Sequence, residues 1–293
     1  MPVLELNNVS SGYNGQTVLH DISFKLSEPS IYVVLGPNGV GKTTLFRTIA
    51  GVLEPFGGEI LLDGENITHT SGARQRMSYF SQNAMPEEMT LFEALEFYAN
   101  MEGGNPEKAI ELLGLGELRD KKFSDLSGGQ KKRAAIAKVF LEERDLYLLD
   151  EPTANLDPIA SEELRDIILR ISRNKMVLYS SHNLYEATDI GVYLILIKNG
   201  SIALLDRISN MKPRNYRVGI RASADITGIV DAKREGDFYV LSVSSPEEAG
   251  VALQKIVKKG VLVTEMRQLN NPLQELFEAQ EPQKTVEAFR SAR

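Results

Sequence analysis

A chain of 293 residues, 42% hydrophobic and 25% charged, has the make-up of a globular protein with a substantial core and room for two domains. Its formal net charge of −7 argues against the neutralising of nucleic-acid phosphates as its main task, so nucleic acid is not an expected partner. The absence of cysteine excludes disulfides and thiolate metal sites, and three histidines, His20, His69 and His182, leave little for a transition-metal centre.

In chain order, residues 3–6 and 22–26 read as short β segments, with turn residues Gly12, Asn14 and Gly15 between them, and suggest antiparallel pairing. The apolar run 31–35 then leads into Gly36-Pro37-Asn38-Gly39-Val40-Gly41-Lys42-Thr43-Thr44, and a helix-like stretch, 45–50, follows. Strand, glycine loop and helix in this order suit a nucleoside triphosphate, ATP or GTP. The glycines turn backbone N–H groups inward, Lys42 can reach the outer phosphates, and the Thr43 hydroxyl can hold Mg²⁺.

Residues 57–64 read as another short strand ending in a turn. From about 90 to 118 the pattern is helical: Leu91, Ala94, Leu95 and Tyr98 share one stripe, and a second helix carrying Ile110, Leu112 and Leu113 follows Gly103-Gly104-Asn105-Pro106. Apolar runs at 146–149, 176–179 and 192–197, separated by helices, read as buried parallel strands. The first ends in Asp150 and Glu151. An acid at the tip of a strand near a phosphate loop holds Mg²⁺ directly or through water, and the adjoining Glu151 can position or polarise an attacking water.

Polar composition with Pro213 places a domain boundary around 206–214. Beyond it, 216–220, 228–231 and 238–243 read as strands, 246–258 as an amphipathic helix, 261–266 as a strand, and a last helix begins at Pro272. That order suggests a small ferredoxin-like α+β domain with no visible catalytic constellation. No apolar stretch approaches the roughly 20 residues that cross a bilayer. The start, Met1-Pro2-Val3-Leu4-Glu5, lacks a basic region followed by an apolar one, so the chain is expected to stay where it is made.

The run Leu126-Ser127-Gly128-Gly129-Gln130, a helix over 131–141 and then the strand with Asp150 and Glu151 resemble the ATP-binding-cassette ATPases. The resemblance covers about residues 3–205. It implies an α/β P-loop NTPase cassette with a mixed-sheet core, an antiparallel β subdomain and a helical subdomain at about 84–145, followed by a separate α+β domain at 206–293. It also implies that Tyr13 stacks on adenine, that Gln82 links Mg²⁺ or the lytic water to the helical insert, that Ala154-Asn155-Leu156-Asp157 forms the D-loop, and that His182 senses the γ-phosphate.

The chemistry of Ser127-Gly128-Gly129-Gln130 also stands without the family, since an N-cap residue and glycine N–H groups at a helix start make a second anion site. One chain holds one phosphate loop and one such site, and the helical insert would carry them apart. Family members pair head to tail, so that each ATP is clamped by Lys42 and its loop from one chain and by Ser127, Gly128, Gly129 and Gln130 from another. A homodimer, or pairing with a related ATPase subunit, is therefore implied.

Two departures from the family pattern, Glu28-Pro29-Ser30 before the loop strand and Gly191-Val192 where an Asp-Arg pair is usual, put local loop geometry in doubt. With no coiled coil and no second cassette, the resemblance points to a transporter ATPase on the inner face of the cell membrane, held by integral membrane permease subunits. The segment after 205 is too short for the regulatory domain of sugar-importer ATPases. Its Val263-Thr264-Glu265-Met266 and Asn271-Pro272-Leu273-Gln274-Glu275-Leu276-Phe277 resemble the close of drug, lipid and polysaccharide exporter ATPases, although Leu273, Leu276 and Phe277 have equally the spacing of a core-packing helix. An importer subunit, or a cassette in a non-transport regulator or assembly factor, is the alternative.

Overall fold

The computed structural model describes residues 2–81, 85–211 and 216–269. The chain divides into two compact units, Met1–Ile208 and Ser209–Arg293. The first opens with a hairpin, β1 (Leu4–Tyr13) and β2 (Gln16–Leu26), closed by Asn14-Gly15. Both turn residues take positive φ, as the favoured two-residue hairpin turns require.

Strand β1 runs well beyond the expected 3–6. Its register shifts between Leu6 and Val9, with Asn8 at φ 50°, so the apolar alternation breaks although Leu4, Leu6 and Val9 all reach the core. Gly12 lies inside this strand rather than in the turn. A Cβ there would stand 1.9 Å from the Gln16 carbonyl oxygen. Gly12→Ala is therefore expected to cost about 2 kcal/mol or more by overpacking. The check is a lower urea midpoint at unchanged denaturant slope.

Next come β3 (Ile31–Leu35), all five residues buried, and α1 (Lys42–Ile49). Strands β4 (Gly57–Leu62) and β5 (Glu65–Asn66) complete an antiparallel sheet in the order β2-β1-β4-β5. After α2 (Ser71–Gln75) and β6 (Met77–Phe80) the helical segment begins with α3 (Leu91–Glu102), held by a reciprocal capping box between Thr90 and Glu93. Helix α4 (Pro106–Leu112) starts with proline behind the Asn105 cap.

Helix α5 (Gly128–Ala137) begins three residues before the expected start and tightens into a 3₁₀ turn over Lys138–Phe140. The unit continues with β7 (Leu146–Asp150), α6 (Pro158–Ile171), β8 (Met176–Ser181), α7 (Leu184–Ile190), β9 (Tyr193–Lys198) and β10 (Ser201–Arg207). The central sheet has the order β10-β9-β3-β8-β7-β6. It is parallel except for the edge strand β10.

Asp206 and Arg207 pair with Leu194 and Tyr193, so a division at 205/206 would cut β10. In the core, Leu4, Leu6, Ile22 and Ile60 of the antiparallel sheet pack with Leu45, Phe46 and Ile49 of α1 and with Val34, Leu148, Leu178 and Ile195 of the central sheet. This burial fixes α1, and with it the glycine loop, at the C-terminal ends of the parallel strands.

The two sequence departures lie at the opposite end of the sheet, where the Val192 N–H donates to the Ile31 carbonyl. Glu28 Oε2 accepts from Tyr193 Oη at 2.8 Å and from Arg207 Nη2 at 2.7 Å, and Tyr193 stacks on Tyr32 with ring centroids 4.8 Å apart. An acid, two tyrosines and an arginine thus close the foot of β3 and β9.

The second unit contains β11 (Tyr216–Ala222), β12 (Ala232–Glu235), β13 (Phe238–Val243), α8 (Pro246–Lys258) and β14 (Val263–Gln268). Its antiparallel sheet has the order β12-β13-β11-β14, the ferredoxin-like order, with a turn where the first helix would be. The strand expected at 228–231 is that turn. Asp225 Oδ1 accepts from the Thr227 N–H at 2.9 Å, the Ile229 and Val230 N–H groups donate to the Ile226 carbonyl, and Ile226 is buried. The helix expected from Pro272 lies outside the described residues.

Candidate nucleotide site

Residues 36–41 cross from β3 into α1, and Gly41 caps the helix at φ 112°, where a side chain would be strained and its Cβ would press on Leu19. Lys42, first in the helix and buried, turns back: its Nζ donates to the Gly36 carbonyl at 2.8 Å and to the Pro37 carbonyl at 3.2 Å. The same ammonium stands 3.7 Å from Glu151 Oε1. Burial lowers its pKa, and Glu151 and Asp150 work against that shift.

A cleft of about 470 Å³ lies over this loop, lined by Asn38, Gly39, Gly41, Lys42, Thr43 and Thr44 from one side and by Asp150 and Glu151 from the other. Gly36, Pro37 and Val40 do not line it: the first two offer their carbonyls to Lys42, and Val40 packs against the core. Asp150 is buried at the tip of β7, where its Oδ1 accepts from Ser180 Oγ at 2.6 Å. That hydroxyl also accepts from the Glu151 N–H at 2.8 Å, so one serine of β8 holds both acids of β7 in place.

Glu151 itself sits at φ 48°, an uncommon region for a non-glycine residue. His182 Nδ1 stands 3.3 Å from Glu151 Oε1 and is half exposed. His182 follows Ser181, whose hydroxyl donates to Glu186 at 2.5 Å, and Tyr179 Oη donates to the same carboxylate at 2.6 Å. Buried Tyr179 has its pKa raised well above the ordinary tyrosine value by that burial.

The structure therefore brings the loop, Asp150, Glu151 and His182 together. Ser127, Gly128, Gly129 and Gln130 do not line the cleft. Ser127 caps α5 in a reciprocal box with Gln130, its Oγ accepting from the Gln130 N–H at 3.3 Å and Gln130 Oε1 accepting from the Ser127 N–H at 3.0 Å. Asp157 caps α6 through the Ala160 N–H at 2.9 Å. A Cβ on Gly129 would lie 3.8 Å from its carboxylate. Gln82 lies outside the described residues.

Tyr13, at the end of β1, is partly exposed and accepts from Arg47 Nη1 at 3.3 Å. Arg47 and Tyr79 line the same cleft, and burial pushes the Tyr79 hydroxyl up to about 12. Sequence reasoning gave neither of these a role in the site, nor Lys132, whose Nζ donates to the Glu151 carbonyl at 2.9 Å. Among the described residues no group of three or more His, Asp or Glu could hold a metal by itself.

A family model for ABC transporters matches residues 19–154. An uncharacterized ABC transporter ATP-binding protein of Bacillus subtilis (strain 168), YhcH, is 31% identical over 265 residues, spanning 86% of this chain and 79% of its own. The chain belongs to the ABC transporter ATP-binding proteins. It is an ATPase of that family, with ATP as its nucleotide. The ABC cassette fold is matched by a solved ATP-binding subunit of an ABC transporter, 26% identical, with a TM-score of 0.65 over 71% of this chain and 91% of that one. Relatives of this ABC ATPase include the taurine import ATP-binding protein TauB of Roseobacter denitrificans (strain ATCC 33942 / OCh 114), 32% identical over 211 residues, covering 67% of this chain and 78% of TauB. Likeness to this family therefore does not select an exporter.

Proposed function

We propose that this chain supplies the energy for a transporter: two copies, or one copy and a related ATPase subunit, close head to tail on two ATP molecules and work on separate integral membrane permease subunits. The observation that carries the reading is the division of the site: Lys42, Thr43, Asp150 and Glu151 share one cleft with His182 against Glu151, whereas Ser127-Gly128-Gly129-Gln130 stands outside it.

In this reading the N–H groups of the loop and Lys42 hold the phosphates. Tyr13, fixed through its hydroxyl by Arg47, offers its ring to the adenine. Hard oxygen donors at Thr43 and Asp150 both line the cleft and fit Mg²⁺, which enters with the nucleotide because the described residues offer no full cage. When bound, that cation neutralises charge on the phosphate oxygens. Gln82 is assigned beside it on sequence alone.

Glu151 accepts a proton from water as that water's oxygen bonds to the γ-phosphorus and the bond to the β–γ bridging oxygen breaks, with ADP as leaving group. His182, at 3.3 Å, orients the Glu151 carboxylate and faces the phosphate being released. Gly128 and Gly129 N–H groups of the opposed chain, ordered by the Ser127 cap, close over the γ-phosphate, and Asp157 lies at the same edge.

No described helix is long and apolar enough to cross a membrane. We therefore place the protein on the inner face of the cell membrane through its permease. Export is the proposed direction, resting on the run 271–277, which lies outside the described residues.

The test is affinity purification of the tagged protein from native membranes. A polytopic protein of about six apolar 20-residue segments is expected with it. Recovery of a soluble complex alone would favour the regulator or assembly-factor reading. Transport assayed in inside-out vesicles then decides direction: ATP-dependent uptake into the vesicle is export from the cell.

A further inference from the structure

Lys132 lies on α5, five residues after the Ser127 cap, and its half-buried side chain leaves the helix for the segment that follows β7. Its Nζ donates to the Glu151 carbonyl at 2.9 Å and also to the Ala154 carbonyl. Between these two acceptors the chain makes a tight turn, in which the Ala154 N–H donates to the Glu151 carbonyl. Glu151 and Asn155 both hold positive φ, at 48° and 63°.

Non-glycine residues in that region are strained, and persist only where the surroundings over-determine them. For Glu151 the restraints can be named. Its N–H is held by Ser180, its carbonyl by Lys132, and its carboxylate faces Lys42 and His182. Three of these lie on β8, the loop after β8 and α1. Only Lys132 comes from the helix that carries Ser127, Gly128 and Gly129.

We propose that Lys132 is a positioning residue that ties α5 to the backbone of Glu151, so that engagement of Ser127-Gly128-Gly129 with the opposed chain's nucleotide sets the Glu151 carboxylate in its own chain. A helix of this length moves as a rigid rod, and a side chain fixed to two carbonyls passes its displacement to the turn. Each site then reports to the other through one ammonium group. The inference rests on the reading of Glu151 as the base and of the pair as head to tail.

The experiment compares Lys132→Met, Lys132→Gln and Lys132→Arg with wild type for kcat, ATP affinity, the Hill coefficient of ATP hydrolysis and the melting temperature. Lys132→Met is expected to lower kcat about 10-fold or more, the scale of an ångström-level misplacement of a reacting group. ATP affinity should stay within about 2-fold and the Hill coefficient should fall towards one. Lys132→Arg, which can still donate to both carbonyls, should recover much of kcat, and Lys132→Gln less.

Wild-type kcat and Hill coefficient in Lys132→Met overturn the inference. So does a loss of kcat in all three variants that tracks ATP affinity and melting temperature, since that is the mark of a purely structural lysine. Glu151→Gln is measured in parallel. If it is inactive while Lys132→Met behaves as wild type, only the coupling fails; if it hydrolyses ATP normally, the base assignment fails and the coupling with it.

Discussion

Glu151→Gln is expected to stop turnover while ATP stays bound and the ATP-dependent dimer becomes trapped. The substitution keeps the size of the side chain and its ability to meet His182, 3.3 Å away, and Lys42, 3.7 Å away. What it removes is the capacity to take a proton. Loss of a positioned general base costs about 10²–10⁴ in rate, and a neutral amide also takes one negative charge from the region of the γ-phosphate.

Both changes favour a closed complex that does not react. In the proposed mechanism binding rests on Lys42 and the loop N–H groups, which the substitution leaves intact, so ATP affinity should be equal to or better than wild type. Phosphate release in a single turnover, nucleotide retention and mass by light scattering with and without ATP check the three parts. Were Glu151 only an ion-pair partner for buried Lys42, the variant would lose stability and ATP binding first and would hydrolyse whatever it still bound. Hydrolysis at the wild-type rate would remove Glu151 from the chemistry.

The phosphate loop and the acid tip of β7 were legible because their chemistry is contiguous in the chain. A strand, a run of glycines, a lysine and a helix must be neighbours in sequence for backbone N–H groups to converge, and an acid ending an apolar strand needs only that strand. What holds the site together was not legible. Ser180 grips Asp150 and the Glu151 N–H from 30 and 29 residues away, Lys132 reaches Glu151 across 19, and Glu186 collects three hydroxyl-bearing side chains from β8 and the turn after β7. Residue type tells of a donor or acceptor, but pairing between elements is decided by the sheet order.

The same distinction runs through the fold. Buried strands β7, β8 and β9 were visible as apolar runs, whereas β10, an edge strand with half-buried residues, was not named, and the acid and arginine at its end read as the start of a linker. Strand β6 is only four residues long. In the second unit Ile229 and Val230 have strand-like side chains, and the Asx turn at Asp225 overrides them. Bulges in β1 hid half of that strand by shifting its inward residues from even spacing.

Ser127→Arg is expected to abolish hydrolysis in the homodimer although each chain keeps its complete phosphate loop. In the proposed head-to-tail pair a long cation at the start of α5 would fill the space assigned to the opposed γ-phosphate, and it would also break the reciprocal box with Gln130, at a cost of about 1 kcal/mol of helix capping. That cost is too small to unfold the domain, so ATP binding to the monomer should persist. Lys42→Ala fails differently, since it leaves the helix start intact and removes the loop cation.

Mixing the two inactive proteins separates a shared site from a self-contained one. In a mixed pair both defects fall on the same composite site, while the other site has an intact loop from the Ser127→Arg chain and an intact glycine helix from the Lys42→Ala chain. Random pairing makes half of the dimers mixed, each with one good site, so about a quarter of wild-type ATPase activity should return if the sites act independently, and a smaller but non-zero share if Glu151 of the Ser127→Arg chain also depends on that chain's own α5 through Lys132. If each chain carried a finished site, every molecule in the mixture would remain defective and activity would stay at zero. No recovery, in a mixture shown by differential tags to have exchanged subunits, would rule out the head-to-tail arrangement.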